Sequence, residues 1–395
     1  MSDRAYFQTL ASALDAAGIA TPRLVIDRAR LDQNIETLMA SLPSDMGFRA
    51  VTKSLPSPEL ISRVMRKSKT DRLMTFNLPM LKYFSEHYPM ADQLLGKPLP
   101  VKAMESFFSK VRPRNVLAHQ NVQWLVDTPE RLQQYLAVAD RHGARIRINL
   151  EIDVGMHRGG FVPGDALNGV LDLLSNHERA DLSGFMGYEP HVTLLPKEGG
   201  VQEAAREHAN SVYRNVLQAA EARFGEETMK LLTRNAAGSP TYRLWTDTEV
   251  ANEVALGSVL VKPTNFDTEL LSDFVPASFI AAPVLKTWKG VKRPGDPAVS
   301  EEGETGAEGL TSVFTYGGFW KADPVSPDGL RYHPEFGRSS NQDFLVGPSD
   351  LKIKPDDFIY LRPRQSEAVF LQFGGILVYQ NGQIVDEWPV LPASA

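Results

Sequence analysis

The chain reads as an α/β protein, a (β/α)8 barrel followed by an all-β domain. Three observations predict this. Residues 145–154, RIRINLEIDV, alternate with period two: Ile146, Ile148, Leu150, Ile152 and Val154 fall on one face, Arg145, Arg147, Asn149, Glu151 and Asp153 on the other. Helical patterns flank this stretch, which places it in a parallel sheet covered on both sides. Closure into a barrel gives the charged face a place, lining the interior and its carboxyl-end mouth. Strand and helix signals then alternate through residues 21–270, and from about Ser278 they give way to short strand-like runs broken by Gly and Pro.

In chain order, a short leading helix precedes a strand at residues 23–26. Asp27 is placed to cap a helix whose Leu31, Ile35, Leu38 and Leu42 recur at helical spacing. Further strands are expected at residues 48–53, 73–77, 122–127, 146–153, 182–188, 231–235 and 254–261, with helices at 129–142 and 201–224 among those between them. The barrel is thus assigned to residues 21–270 and the β domain to 271–395, with residues 1–20 packing on the latter. Asn381-Gly382, between GILVYQ and QIVDEW, signals a tight hairpin. Residues 292–309, with Glu301, Glu302, Glu304 and Glu308 among Gly, Pro and Ala, read as a mobile surface loop.

A chain of 395 residues has room for a barrel of about 250 plus a second core. The composition, 43% hydrophobic and 23% charged, is that of a globular protein, and a net charge of −6 offers no footprint for nucleic acid or anionic membrane. Small molecules are the expected partners. Without cysteine there is no disulfide, thiolate metal site or cysteine nucleophile. The first eighteen residues carry acidic groups and no long apolar run, so neither a secretory leader nor a spanning helix is expected, and a cytoplasmic location follows.

Lys53 ends the first barrel strand, in FRAVTKSLPS, with Ser54, Pro56 and Pro58 following. A lysine there faces the mouth, where desolvation lowers an ammonium pKa and frees the amine for a Schiff base; a lysine merely snorkelling from a strand end is the plain alternative. TRNAAGSPT, residues 233–241, follows the seventh strand, and LGSV, residues 256–259, falls in the eighth. Small residues in these turns let backbone N–H groups approach an anion, and barrels commonly bind phosphate there. Together with the lysine they describe a pyridoxal 5′-phosphate pocket, since that cofactor needs an amine for its aldehyde and donors for its phosphate. Arg158 suits the cofactor's phenolic oxygen, against a rim salt bridge with Glu151 or Asp153. In GFMGYEPH a sixth strand ends with Tyr188, Glu189 and His191 aimed at the mouth; Tyr188 contacts cofactor or substrate, or packs inside the barrel, and His157 is as readily structural as functional.

RAVTKS, EIDVGMHRGG, GYEPH, AAGSPT and EVALGSV occur in the order seen in fold-type III pyridoxal phosphate enzymes. The chain most resembles the branch of D-threonine aldolases and D-serine dehydratases over residues 21–267, more weakly to 389. EIDVGMHRGG also resembles the arginine segment of alanine racemases. The resemblance implies an alanine-racemase-like barrel, a β domain, a head-to-tail homodimer, and a lyase acting on D-amino acids, 3-hydroxylated ones above all, through an external aldimine. It implies Lys53 as the Schiff-base lysine, Arg158 as partner of the phenolic oxygen, and Gly238, Ser239, Gly257 and Ser258 as the phosphate cradle.

The chain departs from that branch in two places. Ser54 and Leu55 stand where it has a histidine after the lysine, and Gln365 and Glu367 stand where it has a metal pair. Glutamine is a poor ligand for zinc or manganese, so no metal is expected; Gln365, Glu367, His191 or His157 would assist the substrate hydroxyl instead. Against the racemases, Ala255 stands where an arginine nears the pyridine nitrogen. Tyr316 in TYGGFW nevertheless resembles their tyrosine, which would make Tyr316 and Lys53 opposing bases of a racemase, unless Tyr316 only packs beside Phe319 and Trp320. A cofactor carrier without turnover is a third reading, disfavoured by the β domain.

Overall fold

A computed structural model describes residues 3–111, 119–291 and 309–392. The chain divides into two compact units, one of residues 35–56, 60–259 and 391–395, the other of residues 1–34, 57–59 and 260–390.

Strand β1 (Arg23–Asp27) belongs to the second unit. The next eight close a parallel barrel: β2 (Gly47–Val51), β3 (Arg72–Thr75), β4 (Asp92–Leu95), β5 (Val122–Val126), β6 (Ile146–Ile152), β7 (Ala180–Gly187), β8 (Thr233–Ala236) and β9 (Glu253–Leu256). After α1 (Asp3–Ala16) and α2 (Arg28–Ser41), the helices between barrel strands are α3 (Pro58–Ser68), α4 (Leu78–His87), α5 (Val101–Lys110), α6 (Pro129–His142), α7 (Asp165–Ser175), α8 (Val201–Phe224) and α9 (Glu226–Leu231). The sequence writes its own punctuation: in α6, Thr128 accepts the Arg131 N–H, Pro129 opens the first turn, and Gly143 at φ +58° closes the last.

Strand β6 has the alternation read from sequence. Ile146, Ile148, Leu150 and Ile152 are buried in the outer apolar layer. On the opposite face Arg147 reaches Asp92 at 2.7 Å, and Asn149 donates to Gln123 Oε1 at 3.0 Å. Around them the lumen is ionic. Arg49, fully enclosed, donates to both oxygens of Glu253 at 2.5 and 3.0 Å and pairs with Asp92 at 2.8 Å. Glu253 also receives Arg72 at 2.9 Å and Asn235 at 2.7 Å. Burial opposes ionisation of Asp92, but Arg49 and Arg147 outweigh it and hold the carboxyl at about 2. Arg72, Asp92 and Glu253 each begin their strand, so this network fills the amino end of the barrel and leaves the carboxyl ends to the chemistry.

Two assignments need correction. Residues 23–26, expected within the barrel segment, pair antiparallel with β10 (Ser278–Lys289) and parallel with β16 (Gly375–Gln380) in the other unit. The barrel's third strand is instead β4, which the sequence reading passed over because its first two residues, Asp92 and Gln93, are polar. Asp27 caps α2 as expected, accepting from the N–H groups of Ala29 and Arg30.

The second unit is a nine-stranded sheet ordered β13-β14-β11-β10-β1-β16-β17, with β15 pairing both β10 and β12. Here β11 is Leu310–Thr315, β12 Ala322–Ser326, β13 Arg331–Tyr332, β14 Phe344–Pro348, β15 Phe358–Pro363 and β17 Gln383–Pro389. Helix α1 packs Tyr6, Phe7 and Leu10 into its core against Val25, Phe279, Tyr360 and Tyr379. The β16–β17 hairpin turns at Asn381 and Gly382, with φ +49° and +80°, the left-handed pair a two-residue turn needs. The expected mobile loop at 292–309 lies, but for Gly309, outside the described residues.

Candidate active site

Strand β2 stops at Val51, and Thr52–Ser54 form a single 3-10 turn, so Lys53 stands just beyond the strand rather than in it. Thr52 anchors the turn through its hydroxyl to Met74 O at 3.0 Å. The Lys53 side chain is exposed, with Nζ 4.3 Å from the centre of the Phe76 ring beyond β3. Its neighbour Ser54 is buried and accepts the Ser258 hydroxyl at 3.0 Å. Strand β9 ends at Leu256, so Gly257 and Ser258 follow the eighth strand instead of falling inside it. A Cβ on Gly257 would lie 2.8 Å from Val51 O and 2.9 Å from Ser54 Cβ, so only glycine permits this approach of the two turns.

The turn after β8 adjoins the same place. Ser239 Oγ accepts the Val259 N–H at 3.2 Å, which leaves the serine's own proton to donate. A Cβ on Gly238 would come within 2.7 Å of Tyr188 Cε2, and the Arg158 guanidinium stands 5.3 Å from the centre of the Tyr188 ring. Contacts therefore string Lys53, through Ser54, to Ser258, Gly257, Ser239, Gly238, Tyr188 and Arg158 along one rim at the carboxyl ends of the strands.

The expected rim salt bridge is not what holds Arg158. Among the described residues it forms no ion pair with Glu151 or Asp153, although its charge acts on Glu151. Burial raises the Glu151 carboxyl to about 6; Arg158 opposes this, while Asp127 and Asp153 add to it. Asp153 is occupied elsewhere, accepting the N–H groups of Gly155 and His157 and bonding His157 Nδ1 at 2.9 Å. His157, at φ +53° and largely exposed, is thereby tied to the loop. His191 lies in the 3-10 turn Pro190–Leu194, its Nε2 near enough that a Cβ on Gly155 would sit 3.0 Å away. Its Nδ1 is buried and, among the described residues, has no hydrogen-bond partner. Desolvation and then His157 lower its pKa, with Asp153 opposing, so the imidazole is neutral at pH 7.

Glu189, expected to aim at the mouth, is enclosed and bonded to a neighbouring turn. It is 3% exposed and turned toward the segment after β8, accepting from Thr241, Trp245 and Ala237. Neither Ser54 nor Thr241 was singled out from sequence; the adjacency of Ser54 to Lys53 was the one available signal.

Tyr316, Gln365 and Glu367 belong to the β-sheet unit. Tyr316, just after β11, is 46% exposed, so it does not pack into the core. Gln365 Oε1 is engaged by the Lys321 ammonium, and Ser366 Oγ donates to Glu367 at 3.4 Å. Among the described residues no group of three or more His, Cys, Asp or Glu side chains is placed to hold a metal ion.

The structure is similar to that of a D-threonine aldolase from Filomicrobium marinum, with a TM-score of 0.72 at 17% identity over 94% of this chain and 95% of that one. It is similar also to D-threo-3-hydroxyaspartate dehydratase from Delftia sp. HT23, at 0.71 and 16% over 95% and 98%. An alanine racemase of Clostridium difficile 630 matches at 0.68 and 15% over 93% and 98%. No curated protein matches the sequence. Residues 26–264 match the model for the N-terminal domain of alanine racemase. The chain belongs to that family, the fold-type III enzymes whose cofactor is pyridoxal 5′-phosphate.

Proposed function

We propose that the chain is a pyridoxal 5′-phosphate-dependent lyase for D-amino acids, acting on 3-hydroxylated ones by retro-aldol cleavage or by loss of water. The observation that carries this reading is that Lys53 stands next in the chain to Ser54, which receives the Ser258 hydroxyl, while Ser239 receives the N–H of the following Val259, so one amine and three serine hydroxyls share a chain of contacts. The donor set fits the cofactor, since two turns that glycine alone brings together supply hydroxyl and N–H groups for a phosphate. When bound, pyridoxal phosphate supplies an aldehyde for an amino group and an electron sink for the bonds at the substrate's Cα.

The chain's own residues do the rest. Lys53 Nζ would hold the cofactor through its aldehyde and would take or return a proton at the substrate's Cα. Arg158, which forms no ion pair among the described residues, would donate to the phenolic oxygen. His191, neutral and with no hydrogen-bond partner for its buried Nδ1 among the described residues, would take the proton of the substrate hydroxyl, because Gln365 is held by Lys321 and is a poor metal ligand. Tyr316 favours a second reading, racemisation: its hydroxyl is left exposed, as a second base would need to be. Exposed Tyr316 and Phe319 also support a homodimer. The partner otherwise is a small amino acid in the cytoplasm, and no helix among the described residues is long and apolar enough to cross a membrane.

Borohydride reduction of the loaded protein followed by peptide mass analysis should find the cofactor on Lys53, and an adduct elsewhere or none overturns the assignment. Incubation with D-threonine, D-serine and both alanine enantiomers, assayed for aldehyde, ammonia and chirality, separates lyase from racemase. Change of chirality without aldehyde or ammonia would replace the lyase by the second reading.

A further inference from the structure

Resting on that reading, we infer that Glu189 is a positioning residue that holds the turn after β8 in its phosphate-receiving shape. Glu189 follows β7, yet besides its own N–H three donors to its carboxyl lie in residues 237–245. Thr241 Oγ1 donates to Oε1 at 2.7 Å and Trp245 Nε1 to the same oxygen at 3.1 Å, while the Ala237 N–H donates to Oε2 at 3.2 Å. One enclosed carboxylate thus fastens the start, middle and end of the segment that carries Gly238 and Ser239. The Thr241 hydroxyl extends the hold, accepting the Gly238 N–H at 3.2 Å while it donates to Glu189. Ala237 shows why a hold is needed. Its φ of +64° is a conformation that an L-residue with a Cβ resists, and its N–H is the one fastened to Oε2.

Glutamate is a surprising choice beneath an anion site. On electrostatics alone a buried carboxylate repels a phosphate, so removing its charge should tighten phosphate binding. On the positioning account the opposite follows. In Glu189→Gln the carbonyl can keep the Thr241 and Trp245 donors, but the amide then presents N–H to the Ala237 N–H; the flipped amide strands the other two donors. Either way the turn loses an acceptor and relaxes. The two accounts predict changes of opposite sign.

Burial raises the Glu189 carboxyl above its ordinary value, while the donors from Thr241, Trp245, Ala237 and its own N–H oppose that rise. The acceptor that fastens the turn stands outside the cradle itself, so the shape of Gly238 and Ser239 depends on a residue that does not belong to it.

The test compares dissociation constants of pyridoxal 5′-phosphate and of unphosphorylated pyridoxal, measured by absorbance titration of the full chain. Both aldehydes use Lys53, and only the first uses the turn. Glu189→Gln is expected to lower the preference for the phosphorylated form by about tenfold or more, the scale of one charge-assisted hydrogen bond, while pyridoxal binds as to wild type. Thr241→Val should move the same ratio in the same direction, and Thr241→Ser should restore it, which keeps the question answerable if the glutamine variant folds poorly. An unchanged or increased preference in Glu189→Gln and Thr241→Val overturns the inference. A wild type that shows no preference for the phosphorylated aldehyde overturns the underlying site reading instead, so the two failures are distinguishable.

Discussion

Replacing Glu151 by glutamine should make the protein more stable at pH 8. Its carboxyl, raised from 4.5 to about 6 by burial near Asp127 and Asp153, holds its proton more tightly folded than unfolded. A raised carboxyl stabilises the fold fully below pH 4.5, and that contribution is lost as pH rises through about 6. By pH 8 the ionised group costs the fold up to about 2 kcal/mol, at about 1.4 kcal/mol per pH unit. Glu151→Gln keeps the shape, carries no charge and escapes that cost. The apparent melting temperature of the cofactor-free variant should therefore exceed wild type by roughly 2 to 3 °C at pH 8, at about 1.2 °C per kcal/mol for a chain of 395 residues. The gap should close by pH 4.5. Thermal melts followed by circular dichroism at pH 4.5, 6 and 8 measure it. A variant less stable than wild type at pH 8, or a gap that ignores pH, would show that Arg158 dominates Glu151 and that the desolvation argument is wrong.

Two further outcomes follow from packing and charge. Gly257→Ala places a methyl 2.8 Å from Val51 O, a backbone atom with no room to retreat, so it should destabilise the barrel by about 1 to 3 kcal/mol and weaken pyridoxal phosphate binding; melts and titration of the same sample check both. Arg49→Met takes the shared cation from Glu253 and Asp92, leaving them Arg72 and Arg147, and should cost up to about 3 kcal/mol in denaturant unfolding, with much of the loss recovered when Glu253→Gln is added.

The barrel was legible because β6 spells its two environments residue by residue, apolar outward and polar inward, and because capping residues such as Thr128 and Asp27 mark helix starts locally. The placement of β1 was not legible. RLVID reads as a buried strand in any sheet, and its neighbours, β10 and β16, lie some 250 and 350 residues downstream. Strand β4 was hidden for a related reason: Asp92 and Gln93 spend their polarity on Arg49, Arg147 and Ser85, partners that only the closed barrel brings near. At the site, Lys53, Gly238 and Gly257 announce themselves through strand ends and turn chemistry. The bonding of Glu189 was not legible, because the donors that enclose its carboxyl sit 48 to 56 residues further along.

The interlocking charges in the barrel floor constrain how such a chain can change. Each member is the counter-ion or acceptor of at least one other: Arg49 serves Glu253 and Asp92, and Asp92 in turn serves Arg147. A lone replacement there unbalances a shared set of buried charges, so variants are best tolerated as matched sets, whereas exposed rim side chains outside the phosphate cradle, such as His157, can change one at a time. The molecule thereby separates a foundation that drifts only in concert from an upper edge where new substrates can be explored cheaply.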